Sequence, residues 1–541
     1  MTLADGQGSP IHATACGKRR GFTMDFHDHR PQRGFGGSER TLAKIAQDLT
    51  RFLTKTQRSL TYETLHLSSR QRETLAHILV EFAEDLSHDI GIWRSLEAYN
   101  CDFFGTPLPC VLHPDETMDA DPVNPARVQF LLWTLYAELV PELILAPIHQ
   151  DLERLAIWIA DFLSEKCAHL QYDSGVKTFL HTPNQYGWDV KRKLVWLGQH
   201  SYLFRLHRAQ YIRDHGGTAD IPTLDDFLCQ KTTSWSGLGV IDILAATLDI
   251  TDSQRHDLRS WYERHTAYFR VVSLREPFME VLNLLNEQPY TIHVGEIGDT
   301  FRVDDVVFGS LVPWDGAWYW SGVQHRYPNV TAADSQHITQ DFYQKSPQIV
   351  YRYCAQRAEK AREVTHRDYQ EFVDYYGNDL VVYPDGYTMA AAMQKFYEKR
   401  FTSAPKDVVE AFVKRHHLAK PSPRMSHPPE LLESTNGVGV YFYADEGIEI
   451  IKECHDVISG FKKNGRDCTD AEWESIKGVM QSQAISPQCM RKLMQDYGDA
   501  SLASTFFIRE TADKVYVEYL LRRYKGHFYR KRYPTLVLVY S

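Results

Sequence analysis

The sequence lacks the cysteine pattern of small cross-linked proteins. Its nine cysteines are odd in number and scattered, and no C-x-x-C pair occurs. This argues against a disulfide framework and against a cysteine-rich zinc site. We therefore expect a reducing, cytoplasmic location.

An uninterrupted apolar run long enough to cross a bilayer is also missing. The most apolar stretch, residues 128–148, is interrupted by Glu138, Pro141, Glu142 and Pro147, well within the ~20 residues that a crossing needs. We interpret it as a buried helix broken at proline and expect no membrane association. The polar, glycine-rich first 38 residues have no apolar h-region, which is typical of a disordered lead rather than of a signal peptide.

Catalytic signatures are missing as well. H-E-x-x-H and G-x-S-x-G do not occur, and GFKKNGRD at residues 460–467 has Arg466 and Asp467 where a P-loop needs Lys and Ser/Thr. Catalytic residues therefore stay unknown, and we predict no cofactor.

Composition is that of an ordinary globular protein. The 541 residues are 43% hydrophobic and 24% charged, which suggests two to four domains. The formal net charge of -10 speaks against wholesale binding of nucleic acid or membrane, although a local basic patch is compatible with either.

Helical periodicity dominates the first half of the chain. Ser38 can cap a first helix, Ser68 with Gln71 can form a capping box for a second, and helical patterns recur as far as Tyr268. We predict a disordered lead at 1–38 and a helical domain at 39–276.

The character changes near Pro277. Short apolar runs separated by turn signals, among them Gly298-Asp299 and Asp315-Gly316, predict about five strands. Because open sheet edges are a liability, we expect these strands to close into a small SH3-like or OB-like β-barrel at 277–330.

The remainder predicts a helical connector and linker at 331–425 and a C-terminal α+β domain at 426–541. There we expect helices at residues 446–463, after the Thr469/Glu472 capping box and after Ser486, followed by the strand-like runs STFFIRE and PTLVLVYS. The region "DKVYVEYLLRRYKGHFYRKRY" reads as helical or extended. The fold class is therefore α+β: a mostly helical N-terminal domain, a central barrel and a C-terminal three-helix unit with strands.

The aromatic hairpin around Asp315-Gly316 is the first candidate for a binding surface. A type I′ turn there pairs Trp314 with Ala317 and places Trp318 and Trp320 on one face, with Trp314 and Tyr319 on the other. Either all four aromatics are structural, or one face is an aromatic binding surface for a protein or a nucleobase.

The same region carries a resemblance. The stretches EVLNLLNEQPYTIHV, FRVDDVVFGSLVPWDG and WYWSG, within residues 276–322, resemble a small β-barrel module of uncharacterised bacterial proteins, some of which also carry a SEC-C zinc motif. This chain has no clustered cysteines, so the zinc site is not implied. The resemblance covers under a tenth of the chain and implies no catalytic residue.

The C-terminal region is the second candidate surface. Basic residues are interleaved with tyrosines and follow a pair of short helices with the lengths of a helix-turn-helix, a combination that suits nucleic acid. The residues that we predict for this contact are Arg491, Lys492, Arg522, Arg523, Lys525, Arg530, Lys531 and Arg532. The alternative is a plain helical packing unit beside a solvated basic segment.

Histidines supply two sets of metal-ligating side chains. One set is His416, His417, His427 and Glu430; the other is Asp25, His27, Asp28 and His29. The first straddles a proline-rich linker and the second falls in the expected disordered lead. Because neither is preorganised, we predict no metal site.

These observations favour a cytoplasmic, non-catalytic interaction protein with a nucleic-acid or protein partner. Two alternatives stay open, an enzyme whose active site is assembled from distant segments and a structural or oligomerising protein. A cleft that unites His and Asp/Glu from different segments would favour the enzyme, and a flat basic face with exposed aromatics would favour binding.

Overall fold

A computed structural model gives the structure of the chain. It describes residues 26–31, 37–61, 65–113, 115–140, 145–168, 170, 174–264, 266–295, 300–345, 350–403, 406–415, 427–463, 467–498 and 514–534.

The N-terminal part is helical, as predicted. Ser68 Oγ accepts the Gln71 N–H at 3.3 Å and Gln71 Oε1 accepts the Ser68 N–H at 2.8 Å, which confirms the predicted capping box. The helices are α1 (Gly37–Thr56), α2 (Ser69–His88), α3 (Ile92–Phe104), α4 (Pro125–Leu139), α5 (Gln150–Cys167), α6 (Gly175–Leu180), α7 (Gly187–His200), α8 (Arg205–Asp214), α9 (Ile221–Gln230), α10 (Val240–Thr247) and α11 (Asp252–Ser260).

A closed five-stranded barrel follows. Its strand order is β1-β2-β3-β5-β4, with β3 and β5 parallel, which is the order of an OB-like barrel. The strands are β1 (Thr266–Arg275), β2 (Phe278–Asn283), β3 (Pro289–His293), β4 (Val306–Trp314) and β5 (Ala317–Tyr327).

The first strand of the barrel was not expected from the sequence. The helical pattern was extended to Tyr268, whereas α11 ends at Ser260 and β1 begins at Thr266. The correct signal is the alternation in TAYFRVVSLR, where Ala267, Phe269 and Val271 point into the barrel core.

The hairpin register is confirmed. Trp314 pairs with Ala317, and the next three pairs follow in the expected order. Asp315 and Gly316 both have positive φ, of 50° and 81°, as a type I′ turn requires. One face of the hairpin fills the barrel, and the other packs on the helical domain.

The rest of the described chain contains both helices and strands. Strands β6, β7 and β8 form an antiparallel sheet in that order. The elements are α12 (Ala332–Lys345), α13 (Ala355–Tyr376), β6 (Leu380–Tyr383), α14 (Gly386–Ser403), α15 (Lys406–Arg415), α16 (Pro429–Leu432), β7 (Val438–Tyr443), β8 (Gly447–Lys452), α17 (Cys454–Lys462), α18 (Asp470–Gln481), α19 (Pro487–Tyr497) and α20 (Lys514–Lys525).

One C-terminal prediction was wrong. The helix expected at 446–463 is a strand, β8, followed by the shorter helix α17. The strand alternates buried and half-buried residues, and Glu453, with a φ of 53°, separates it from the helix. The expected strands STFFIRE and residues 535–541 lie outside the described residues.

Helix α20 packs on both sides: Leu521 is buried in the core of the C-terminal part, and Tyr519 and Leu520 in the core of the helical domain. The Tyr519 ring lies 5.4 Å from Trp133, 5.6 Å from Phe104 and 6.3 Å from Phe130, between ring centroids. Among the helices that the structure describes, none has the length and apolar character needed to cross a membrane.

Candidate functional site

The four aromatic side chains of the hairpin pack in two different places, two against the helical domain and two against the barrel core. Trp314 is fully buried and donates from Nε1 to the Asn184 carbonyl at 3.1 Å. Tyr319 is buried beside Trp188, with ring centroids 5.3 Å apart. These two hold the barrel against the helical domain.

Trp318 and Trp320 lie on the barrel side and are half-buried. The Trp318 ring is perpendicular to Tyr290 and to Tyr353, at 4.7 Å in each case, and Trp320 packs 5.7 Å from Phe269. A binding face built on the four aromatics stays a prediction, and it would have to use the half-buried pair.

Most of the predicted basic residues near the C-terminus have carboxylate partners within the protein. Six of the eight lie within salt-bridge distance of at least one carboxylate: Arg522 lies 3.4 Å from Glu518, and five others form shorter pairs. The pairs are Arg491–Glu518 (2.7 Å), Lys492–Asp496 (3.0 Å), Arg530–Asp242 (2.8 Å), Lys531–Glu263 (2.8 Å) and Arg532–Glu446 (2.7 Å).

The three predicted bases on α20 lie against the protein. The Arg522 guanidinium stacks 3.6 Å from the Phe103 ring centre, and that of Arg523 lies 5.0 Å from Trp133. Lys525 is fully buried, and its Nζ donates to three backbone carbonyls at 2.7–2.9 Å. Of the eight bases, Arg491 and Lys531 are the exposed ones.

The metal-ligand sets are only partly described. Asp25, His416 and His417 lie outside the described residues. His27, Asp28 and His29 belong to a short 3-10 helix, Phe26–His29, whose His29 is buried. Within the described ranges, no group of three or more His, Cys, Asp or Glu side chains could hold a metal ion.

Polar side chains converge on a cleft in the helical domain, which sequence reasoning missed. It has a volume of about 1030 Å³ and lies among the 3-10 helix, the first half of α2, the end of α4, the end of α7 and α8. Its lining residues are Asp28, His29, Ser68, Ser69, Arg70, Gln71, Glu73, Thr74, His77, Glu138, Leu139, Gln199, His200, Arg205, Leu206, Arg208, Ala209 and Arg213.

Histidines and arginines form the inner wall of this cleft. Burial, with a smaller contribution from the charges of Arg205 and Arg208, lowers the pKa of His29 to about 2. Burial and the same two arginines also lower the pKa of His200. Both imidazoles are therefore neutral at pH 7, in a locally positive field.

Two arginines of the wall have unused donors. Arg205 donates from Nη1 to Glu81 Oε2 at 2.6 Å, while its Nη2 has no hydrogen-bond partner among the described residues. The same holds for Nε of Arg208, whose Nη1 donates to the Gln199 carbonyl at 3.4 Å. Burial lowers the pKa of Arg208. Both donor atoms are enclosed by protein, and a buried donor without an acceptor is costly. The two arginine side chains themselves line the cleft.

A serine, a histidine and a carboxylate meet at the edge of the cleft. His207 Nε2 lies 2.6 Å from Ser234 Oγ and 3.3 Å from Glu138 Oε1. Burial alone would raise the pKa of Glu138, but the His207 charge and hydrogen bond outweigh burial and hold it at about 2.

This trio does not have the geometry of a nucleophilic triad. In such a triad the serine and the carboxylate lie on opposite ring nitrogens of the histidine. Here both lie on Nε2, and within the described structure Nδ1 of His207 has no hydrogen-bond partner. Ser234 Oγ itself donates to Glu138 at 3.2 Å, so the carboxylate competes with the base for the serine proton.

The buried His29 makes stability depend on pH. Its pKa is about 2 in the folded protein against 6.5 ordinarily, so the unfolded chain binds the proton more tightly, and the contribution to stability is present above pH 6.5 and lost as the pH falls. Between pH 7.5 and pH 5 we expect a loss of about 2 kcal/mol from this group. Urea unfolding of the parent and of His29→Gln at both pH values checks this: the variant should show the smaller fall, and equal falls would contradict it.

The comparisons with known proteins concern the part of the chain that holds the cleft. Residues 31–225 match a family described as a protein of unknown function (DUF3843). The match includes every lining residue of the cleft except Asp28 and His29. It ends before the barrel, whose resemblance to a bacterial module stays a prediction. No curated protein and no solved structure matches the chain.

Proposed function

We propose that the protein binds a small phosphate-bearing ligand in the cleft between α2 and α8. The observation that carries this proposal is the convergence of four arginines on the lining of one cleft, Arg70, Arg205, Arg208 and Arg213. A guanidinium matches the oxygens of a phosphate in geometry and charge, and such hydrogen bonds are among the stronger ones in proteins.

The charge balance of the cleft supports an anion. The arginines contribute, in addition to burial, to the lowered pKa values of His29 and His200. This contribution indicates an excess of positive charge at the wall. The carboxylate of Glu138 is already engaged by His207 and Ser234. The first turn of α2 also lines the cleft, and the start of a helix carries partial positive charge.

The size of the cleft supports a small molecule. Ligand cavities in proteins span roughly 300–1,000 Å³, and the volume of about 1030 Å³ lies at the upper end of that range. A whole metabolite fits such a space, whereas a nucleic-acid duplex does not.

Calorimetric titration of the full chain with sodium pyrophosphate tests the proposal. We expect saturable binding that Arg208→Gln weakens about 10- to 100-fold, because a charge-assisted hydrogen bond contributes roughly 1.5–3 kcal/mol. Arg208 is the residue to change, since its described hydrogen bond is to a carbonyl, whereas removing Arg205 would leave the Glu81 carboxylate buried without its guanidinium.

Arg51→Gln is the matched control. Arg51 is an exposed arginine on α1 that pairs with Asp48 and does not line the cleft, so this variant should bind pyrophosphate like the parent. No binding by the parent, or equal binding by Arg208→Gln, would overturn the proposal.

An enzyme is the second candidate, and it would use the same cleft. The cleft unites His, Asp and Glu from segments between residues 28 and 213, which is the feature expected of an assembled active site. His200, whose pKa is lowered by burial and by Arg208, could accept a proton near a bound phosphate. Release of inorganic phosphate from a ligand that binds the cleft would distinguish catalysis from binding alone.

Interaction through the surfaces first expected stays a prediction. Contact of nucleic acid with the bases from Arg491 to Arg532 would have to replace the carboxylate partners that six of those bases have. A protein partner at Trp318 and Trp320, and a cytoplasmic location, likewise stay predictions. The cleft is the better supported site because four arginines converge on its lining.

A further inference from the structure

We infer that the ligand of the cleft is a phosphorylated sugar or polyol rather than a nucleotide. This inference rests on the proposed function, because it takes the arginines of the cleft as the phosphate site and asks what the rest of the lining would recognise.

The lining offers little surface on which a nucleobase could stack. Sites for nucleobases use exposed aromatic faces. Among the lining residues described, the only rings are those of His29, His77 and His200. His29 and His77 are buried, and the Phe26 ring packs edge-on against His77 at 5.6 Å. A single half-buried imidazole, His200, remains.

The lining offers instead groups that recognise hydroxyls. Glu73, Thr74 and Gln199 lie on the wall and are half-buried. A carboxylate in an anion-binding cleft repels phosphate, so Glu73 fits only a ligand that brings hydrogen-bond donors of its own. Sugar hydroxyls are such donors, and a carboxylate that accepts them makes a charge-assisted hydrogen bond.

The cleft is also larger than a phosphate needs. Arg205 is buried and Arg208 half-buried, while Arg70 and Arg213 are exposed at the same cleft. Its volume of about 1030 Å³ leaves room for a polar body of several carbons beyond the phosphate. Of the lining residues described, Leu139, Leu206 and Ala209 are aliphatic, and the other lining side chains carry polar groups.

Calorimetry of the full chain with three probes tests the inference. The probes are inorganic phosphate, glucose 6-phosphate and AMP; the last two carry the same phosphomonoester and differ in the body attached to it. We expect glucose 6-phosphate to bind at least tenfold more tightly than either of the others. Glu73→Gln should weaken glucose 6-phosphate about tenfold while leaving inorganic phosphate unchanged or tighter, and Arg208→Gln should weaken all three.

The outcomes distinguish failure of the preference for a sugar phosphate from failure of the phosphate site itself. Equal affinities for all three probes, or tighter binding of AMP, would overturn the inference while the phosphate site stands. An unchanged advantage of glucose 6-phosphate in Glu73→Gln would overturn the role given to that carboxylate. If none of the three binds, or if Arg208→Gln weakens none of them, the proposed function fails and the inference fails with it.

Discussion

Replacing Asp85 by Ala is expected to lower the free energy of unfolding by about 4 kcal/mol. Asp85, in the last turn of α2, caps the start of α3 from a distance. Its carboxylate accepts the backbone N–H groups of Gly91 at 2.9 Å and Trp93 at 2.7 Å, and that of Ile92 at 3.2 Å. It also accepts the Tyr202 hydroxyl at 2.6 Å.

The size of the effect follows from what alanine leaves behind. Gly91, the N-cap residue of α3, has no side chain to cap the helix, so three N–H groups at its start and one hydroxyl would lose their acceptor together. A buried donor without a partner costs about 1–3 kcal/mol, and a lost N-cap about 1 kcal/mol. Water entering the cavity would restore part of this, which sets our figure below the sum.

Urea unfolding at pH 8 measures this difference. Burial raises the pKa of Asp85 to about 6 although its hydrogen bonds oppose the shift, so the carboxyl is ionised at that pH. Asp48→Ala is the control, because Asp48 forms an exposed pair with Arg51 one turn away on α1 and should change stability by less than about 0.5 kcal/mol. A loss below 1 kcal/mol in Asp85→Ala would contradict the capping role.

The hairpin shows what a local pattern can predict. Asp315-Gly316 specifies a turn in which both residues have positive φ, and the turn then fixes the pairs of β4 with β5 as far as Ser310 and Ser321, beyond which a bulge shifts the register. Strand β1 was missed for two reasons. Its extended conformation depends on pairing with β4, some forty residues away in the sequence. The helical pattern that precedes it also masked its own alternation of buried and polar residues.

The cleft could not be predicted because no single segment contains it. Its walls come from five stretches between residues 28 and 213, and each stretch by itself is typical of an ordinary helix. The one local signal is His77, a polar residue between Leu75 and Ile78 on the apolar stripe of α2. A histidine in such a position is more often a satisfied core residue than part of a site, so sequence alone would not have selected it.

The basic C-terminal segment shows that composition alone does not predict whether a basic side chain is free to bind nucleic acid. Arg and Lys interleaved with Tyr suit a phosphate backbone, but they suit internal carboxylates and aromatic faces equally well. The partners of Arg530 and Arg532 are Asp242 and Glu446, which lie 288 and 86 residues away. Whether a base is paired inside the protein depends on that tertiary arrangement.

The docking of this segment on the helical domain depends on a contact between two glycines. Gly237 lies in the loop before α10 with a φ of +73°, and a Cβ added there would come within 2.3 Å of the Arg522 carbonyl oxygen and 2.9 Å of the Gly526 Cα. These are backbone atoms, which cannot move aside as a flexible side chain would. We therefore expect Gly237→Ala to lower the free energy of unfolding by about 4 kcal/mol.

Gly105→Ala separates the contact from the backbone conformation. Gly105 has nearly the same φ, +71°, but no described atom lies within 4 Å of the Cβ that alanine would add, so this variant should lose only the about 1 kcal/mol of a left-handed non-glycine residue. Thermal and urea unfolding of both variants measure the difference, and trypsin tests its location. If α20 is displaced, Arg522, Arg523 and Arg530 lose their partners in the helical domain and become sites of early cleavage in Gly237→Ala alone. Equal stability losses with equal cleavage would show that the glycine contact does not hold the basic segment in place.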